Sequence, residues 1–264
     1  MSPLLRSELS IVLYPERVAL LRTERRLTLR GYRRRVCDRK IVPCEDGVGE
    51  RPWSAALDAL GAALPSIITR KMVVNVILSN HFLHYALVPW FDKLSDEEEL
   101  ALAQHRFEEM CGAAAGSLSI RVSPGPPGVS SLASAVDRSL LDELAKLMGR
   151  MRIDLRSVQP HLMMACNSCR GALDGRNAWF ALLEPNSLCL AVLQQGRLVW
   201  IRKLRIGDDW RAEMPAMLER ESYLANVEAD PEEVLLWAPH LDNEEIPTGW
   251  RWNVRQLMPS PAYP

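Results

Sequence analysis

Short apolar runs broken by turn residues fill the first eighty positions. Residues 9–14 (LSIVLY), apolar but for Ser10, predict a short buried strand, Pro15-Glu16 a turn, and 17–22 (RVALLR) the returning strand. Residues 27–36 start by alternating (Leu27, Leu29, Gly31) and are loaded with arginine, as an edge strand is when it must not pair with another chain. After a loop with Pro43, Gly47, Gly49 and Pro52, apolar residues at Trp53, Ala56, Leu57, Leu60 and Leu64 have helical spacing. Pro65 is expected to end that helix. Residues 71–78 (KMVVNVIL) read as a fourth strand, so the order is strand, strand, strand, helix, strand.

The same order returns near the other end. Residues 178–183 (AWFALL), 188–193 (LCLAVL) and 198–204 (LVWIRKL) predict three strands joined at Glu184-Pro185-Asn186-Ser187 and Gln195-Gly196. Residues 208–224 place Trp210, Met214, Met217, Leu218 and Leu224 on one helical face, and 234–237 (VLLW) predict the fourth strand. The repeat lies in the order of elements, not in matching letters.

A different module lies between. Residues 81–89 predict a strand, and Ser95 with Glu98 forms the S-x-x-E capping box of a helix whose Leu100, Ala103, Phe107 and Met110 share one face. A strand at 118–122 leads to the proline- and glycine-rich exit Pro124-Gly125-Pro126-Pro127-Gly128. Beyond it come a strand at 132–136, a helix at 139–151 and a strand at 154–158. Pro160 is then expected to open a helix that carries Cys166 and Cys169.

Composition narrows the class. The chain has 264 residues, 48% hydrophobic and 25% charged, with a formal net charge of −1, so no global field draws it to nucleic acid or to an anionic membrane. No apolar window approaches the roughly 18 residues that a membrane-crossing helix needs, and the N-terminus lacks a signal peptide's apolar core. The expectation is a cytoplasmic α+β protein whose six cysteines are free thiols.

Candidate chemistry is sparse. Cys166-Asn-Ser-Cys169 could be a redox pair with lowered thiol pKa, or half of a zinc site near His161. No second C-x-x-C or H-x3-H completes four ligands, and two thiols three apart on a helix also pack together, as free cysteine usually does. His81 and His84 fall on the predicted strand three apart, on opposite faces, which defeats a shared metal. The run 22–40 holds nine basic and two acidic residues. It could meet nucleic-acid or lipid phosphates, but Tyr32 is its only stacking aromatic, so an edge surface or a dock for an acidic partner is preferred. Asp96–Glu99 suit the first turn of a helix. Trp250 and Trp252 in the proline-edged tail either mark an interface or belong to a strand folding back.

The duplicated order resembles the ribonuclease-H-like halves of the actin, Hsp70 and sugar-kinase superfamily. Residues 73–90 (VVNVILSNHFLHYALVPW), the capped helix, the strand LSIRV and the step 153–173 (IDLRSVQPHLMMACNSCRGAL) are similar to the bacterial actin-like assembly proteins. Those include the cell-division actin homologue, the actin-like protein of type IV pilus assembly, MSHA-type pilus biogenesis proteins and the cytoplasmic part of the type II secretion L subunit. The resemblance implies a duplicated ribonuclease-H-like (actin-like ATPase) fold with a small inserted subdomain at about 80–128, a first half over 1–175 and a shortened second half over 176–264.

Nucleotide-binding members carry an Asp-x-Gly type turn in each half, where glycine lets backbone N–H groups approach phosphates. Here Pro15 and Glu16, and Glu184 and Pro185, stand at those turns; neither turn has glycine, and each proline removes a donor. The Gly-rich adenosine loop is replaced by Trp237-Ala238-Pro239-His240. The implied protein has no catalytic residue, cofactor or metal. It is a cytoplasmic pseudo-ATPase scaffold of a pilus or type II secretion platform, held at the inner membrane by the cytoplasmic tail of a membrane protein lying beside the inserted subdomain, with an assembly ATPase as another partner. Two alternatives stay open: an ATP-binding enzyme using Glu16 or Glu184, and a thiol-redox or metal protein using Cys166 and Cys169.

Overall fold

The computed structural model describes residues 7–28, 31–44, 51–68, 72–225, 231–241, 249–258 and 263, with backbone alone at 25–28 and 31–34. In chain order its elements begin β1 (Ser7–Leu13), β2 (Arg17–Thr28), β3 (Gly31–Pro43), α1 (Ser54–Ile67), β4 (Val73–Leu78) and β5 (Leu83–Val88). They continue α2 (Asp96–Cys111), β6 (Leu118–Ser123), β7 (Ser131–Asp137), α3 (Arg138–Arg150), β8 (Asp154–Pro160), α4 (His161–Ser168) and the single turn α5 (Arg170–Leu173). The remainder is β9 (Ala178–Glu184), β10 (Ser187–Gln194), β11 (Arg197–Leu204), α6 (Trp210–Ala225), β12 (Glu233–Trp237) and β13 (Asn253–Leu257). Two compact units result: Met1–Leu83 with Val136–Met164 and Ser260–Pro264, and His84–Ala135 with Ala165–Pro259.

The first unit is built on a five-stranded sheet in the order β3-β2-β1-β4-β8. β1 to β3 pair antiparallel, and β4 and β8 join in parallel. β1 sits in the middle, which is why its apolar run is nearly continuous rather than alternating: Leu9, Ile11, Val12 and Leu13 are all fully buried. Leu57, Leu60 and Leu64 of α1 and Leu140, Leu144 and Met148 of α3 are buried in the same unit.

Pro65 lies inside α1, which continues to Ile67; proline's fixed φ is helical, and buried Ile67 holds the last turn. Pro160 closes β8 instead of opening a helix, because β8 is a sheet edge, where a missing donor is tolerated.

The arginine-rich run is also not a single strand. It spans both arms of the β2–β3 hairpin, paired from Arg17↔Pro43 to Thr28↔Gly31. Antiparallel backbone pairing carries the arms through charged residues that no apolar pattern marks.

The second unit repeats the sheet order as β11-β10-β9-β12-β13, with the same pairing senses. All seven residues of β9 are buried, as in a central strand. Trp179, Leu190, Val192, Met214, Leu218, Leu236 and Trp252 share one core. Trp252 therefore belongs to a tail that folds back and pairs β13 beside β12.

The strands inserted between β4 and β8, β5-β7-β6, form a three-stranded sheet, and α2 packs Ala103 and Phe107 against Ala86, Val88, Leu118, Ala133 and Ala135. The capping box is present: the Glu98 N–H donates to Ser95 Oγ at 3.3 Å, and the Ser95 N–H donates to Glu98 Oε2 at 2.9 Å. Those Ser95 hydrogen bonds lower the Glu98 pKa. Leu100 and Met110, expected inward, stay exposed because the small sheet covers only the middle of the helix. The duplicated halves and the inserted module together make the ribonuclease-H-like, actin-like architecture.

Candidate functional site

The first turns of the two halves, Pro15-Glu16 and Pro185-Asn186, are tight, and each contains a proline without an N–H. In the first, the Tyr14 N–H donates to the Arg17 carbonyl at 2.9 Å, Pro15 has no N–H, and the Glu16 carbonyl accepts from the Cys44 N–H at 2.8 Å. Glu16 is exposed. Burial and then the Glu16 charge push the Cys44 thiol pKa up. The Arg17 guanidinium lies 4.8 Å from the centre of the Tyr14 ring. The Tyr14 hydroxyl lies 3.1 Å from the Tyr263 hydroxyl, which lies 2.9 Å from His161 Nε2. All three residues are buried. The end of the chain thus fixes the floor of the first turn, a contact of 249 residues' separation that no local pattern announces.

In the second turn Pro185-Asn186 is a two-residue connection, with Glu184 and Ser187 paired in register and Asn186 at φ 58°. Asparagine tolerates that left-handed position. Glu184 is 1% exposed. Its charge acts on Lys203, which stands opposite Cys189 across β10 and β11. Partial burial lowers the Lys203 pKa, against the fields of Cys189, Glu184 and Cys111. At the end of β12, Ala238 is buried and Pro239–Leu241 turns in a short 3-10 helix.

Cys166 and Cys169 do not share one continuous helix: Cys166 is in α4, and Cys169 is the capping residue between α4 and α5. Burial pushes their thiols to about 12 and about 11, opposite to the lowered pKa of a reactive pair. Among the described residues no group of three His, Cys, Asp or Glu side chains could hold a metal. His81 is corrected from strand to 3-10 turn, its Nδ1 2.8 Å from Ser79 Oγ. His84 is on β5, its pKa lowered by burial and then by the Lys203 charge.

A groove in the second unit was not foreseen. Its cavity is about 790 Å³. One wall is Gly128, Val129 and Ser130, between β6 and β7 of the inserted module; the other is one end of the second sheet, where Asn177 before β9, the β10–β11 hairpin with Leu193 and Arg197 to Val199, and Pro231 and Glu232 before β12 come together. Gln195 and Gly196 have φ of 51° and 77°, the two left-handed positions of a type I′ turn. The Gln195 N–H donates to Asn177 Oδ1 at 2.7 Å, and the Gly196 N–H donates to the Arg176 carbonyl at 2.8 Å. A Cβ on Gly196 would stand 2.8 Å from both Gly175 N and the Leu173 carbonyl oxygen, so only glycine fits.

The pairing shifts between Val192↔Trp200 and Leu193↔Leu198, which makes Val199 the extra residue of a β-bulge. Val199 is 37% exposed and faces the groove. β11 is also a sheet edge, and Leu198 and Val199 offer apolar surface where that edge meets the groove.

No family model matches the chain, and no curated protein matches it. Among solved structures, the cytoplasmic domain of EpsL, an inner-membrane component of the type II secretion system of Vibrio cholerae, superposes with a TM-score of 0.62 at 12% identity, covering 97% of this chain and 91% of that one. The PilM-PilN type IV pilus biogenesis complex gives 0.63 at 14% identity, covering 87% and 80%. A Bacteroides thetaiotaomicron protein with an actin-like ATPase fold gives 0.57 at 9% identity, covering 89% and 82%. The chain has the actin-like ATPase fold.

Proposed function

We propose that the chain is a non-catalytic, actin-like scaffold of a pilus or type II secretion-like assembly platform. The observation that supports this most is the pair of turns. Each has a proline, which offers a phosphate no backbone N–H, and Glu184, the buried carboxylate of the second turn, is held inside its own sheet, where its charge acts on Lys203. In this reading the first half runs over about 1–175, the insert over about 80–128 and the shortened second half over 176–264. The protein works on the cytoplasmic side of the inner membrane.

Its partner is the cytoplasmic tail of an inner-membrane assembly protein, laid as a strand along β11 in the groove beside the inserted module. EpsL and PilM-PilN, both from such machines, motivate the class of partner. An assembly ATPase is the second candidate partner. No helix among the described residues is long and apolar enough to cross a membrane.

The test is a photo-crosslinking residue at Val199, irradiated in cells, with adducts identified by mass spectrometry. The expected adduct is the tail of a single-span inner-membrane protein. Adducts with soluble proteins alone sink the reading.

A further inference from the structure

β3 ends the first sheet, and among the described residues β2 is the only strand paired with it. Its outer edge is therefore open. Asp38, Arg39, Lys40 and Ile41 on that edge are all exposed, and they alternate between the faces of the sheet. Asp38 and Lys40 belong to the α1 face, where the Lys40 ammonium donates to Ser66 Oγ at 3.0 Å. Arg39 and Ile41 belong to the other face, where the Arg39 guanidinium donates to the Tyr263 carbonyl at 2.8 Å. Val36 is five residues from Ile41, and in a regular strand the two would lie on opposite faces. A bulge at Cys37, which has no partner between Arg22↔Asp38 and Thr23↔Val36, takes up one residue and returns Val36 to the face of Ile41. Both stay open to solvent, at 44% and 61%, although Thr23 and Ala19, their partners on β2, are buried.

We infer that β3 pairs antiparallel with β3 of a second copy of this chain, about a two-fold axis at Arg39. Such an axis stands normal to the sheet, so each face continues into the same face of the other copy. Counted outward from Arg39, Asp38 stands opposite Lys40 of the second copy. Past the bulge, Val36 stands opposite Ile41 of the second copy. The symmetry repeats both pairs, which gives two ion pairs on the α1 face and two apolar pairs on the other. The bulge is what lets the two kinds of pair form in one register. The two Arg39 residues meet at the axis, but each guanidinium is drawn inward to the Tyr263 carbonyl of its own chain, and Tyr263 rests against Tyr14 beyond central β1. Charges on an edge keep most strands off it. A strand that brings Asp38 and Lys40 in reversed order answers those charges, so the edge selects its own copy. One pair of strands buries less than the roughly 1,200 Å² at which stable interfaces begin, so the dimer is weak and forms as concentration rises. It lies in the first unit and is independent of the groove at β11.

The experiment is sedimentation velocity of the full chain in reducing buffer over a wide range of concentration. The monomer is expected to pass into a dimer and stop there, because a two-fold contact closes on itself. Asp38→Lys sets like charges opposite each other in both symmetry-related pairs and weakens the dimer by about tenfold, and Lys40→Asp does the same. Asp38→Lys with Lys40→Asp restores both pairs with their signs exchanged and recovers most of the affinity. Ile41→Ser removes both apolar pairs at an exposed position, so it weakens the dimer several-fold and leaves the melting temperature in place. Melting temperatures of every variant, taken where the chain is monomeric, separate lost association from lost folding. A monomer at every concentration, assembly that continues past two copies, or a dimer indifferent to Asp38→Lys and to Ile41→Ser overturns the inference. So does a double variant as weak as the single ones when all three melt alike. None of these outcomes bears on the crosslink at Val199.

Discussion

Asp137 shows how a single side chain joins two elements. It caps α3, accepting from the Ser139 N–H at 2.8 Å through Oδ1, and Trp53 Nε1 at the start of α1 donates to Oδ2 at 3.4 Å. Partial burial works against its charge, but the hydrogen bonds from Ser139 and Trp53 and the Arg51 charge hold its pKa below the ordinary 3.8. A lowered folded-state pKa stabilises above the unfolded value and is lost as pH falls through the folded value. Asp137→Ala should cost about 1 kcal/mol at neutral pH, the usual worth of a helix cap. Urea unfolding of both proteins down an acid series should show that gap closing below the ordinary carboxylate range; a constant gap would mean that packing, not charge, is lost. Gly196 is a second such position. Gly196→Ala meets backbone atoms at 2.8 Å on top of a left-handed φ. It should cost at least about 1–2 kcal/mol and lower the crosslinking yield at Val199.

At the scale of elements, what was legible divides by how local the cause is. The capping box of α2 could be read from Ser95 and Glu98 alone, because its donors and acceptors lie within one turn. The two runs of strand, strand, strand, helix, strand were legible because central strands such as β9 must be apolar on both faces. The Val199 bulge was not, since it exists only in the register between β10 and β11. His81 was misplaced because Ser79 captures its backbone N–H at 3.2 Å and starts a 3-10 turn before β5 begins. The edge of β11 carries its own prediction. Proline at Val199 removes an N–H from an edge strand at its bulge, where the fold tolerates it best. Val199→Pro should leave the melting temperature within a few degrees and abolish capture of the tail, which calorimetry with the tail peptide named by crosslinking can measure.

At the scale of the whole chain, the fold by itself leaves function open, since one architecture serves both enzymes and scaffolds. What separates these is donor chemistry at the turns. A nucleotide's phosphates need several converging N–H groups and a carboxylate free to orient magnesium-bound water. Pro15 and Pro185 subtract donors, and the Tyr14 N–H is already committed to Arg17. Glu184 is buried and its charge acts on Lys203, and Glu16 is exposed beside Cys44. Restoring one group alone would therefore not restore a site. Titration calorimetry with ATP and magnesium should give no saturable heat at millimolar nucleotide, both for the chain as it stands and for Pro185→Gly. Saturable binding by the unaltered chain would move the enzyme reading to the front, and loss of that binding in Glu16→Gln or Glu184→Gln would then say which turn holds the metal. Binding gained only in Pro185→Gly would instead mean that the missing N–H was the one obstacle, and that the buried Glu184 carboxylate is no barrier to the nucleotide.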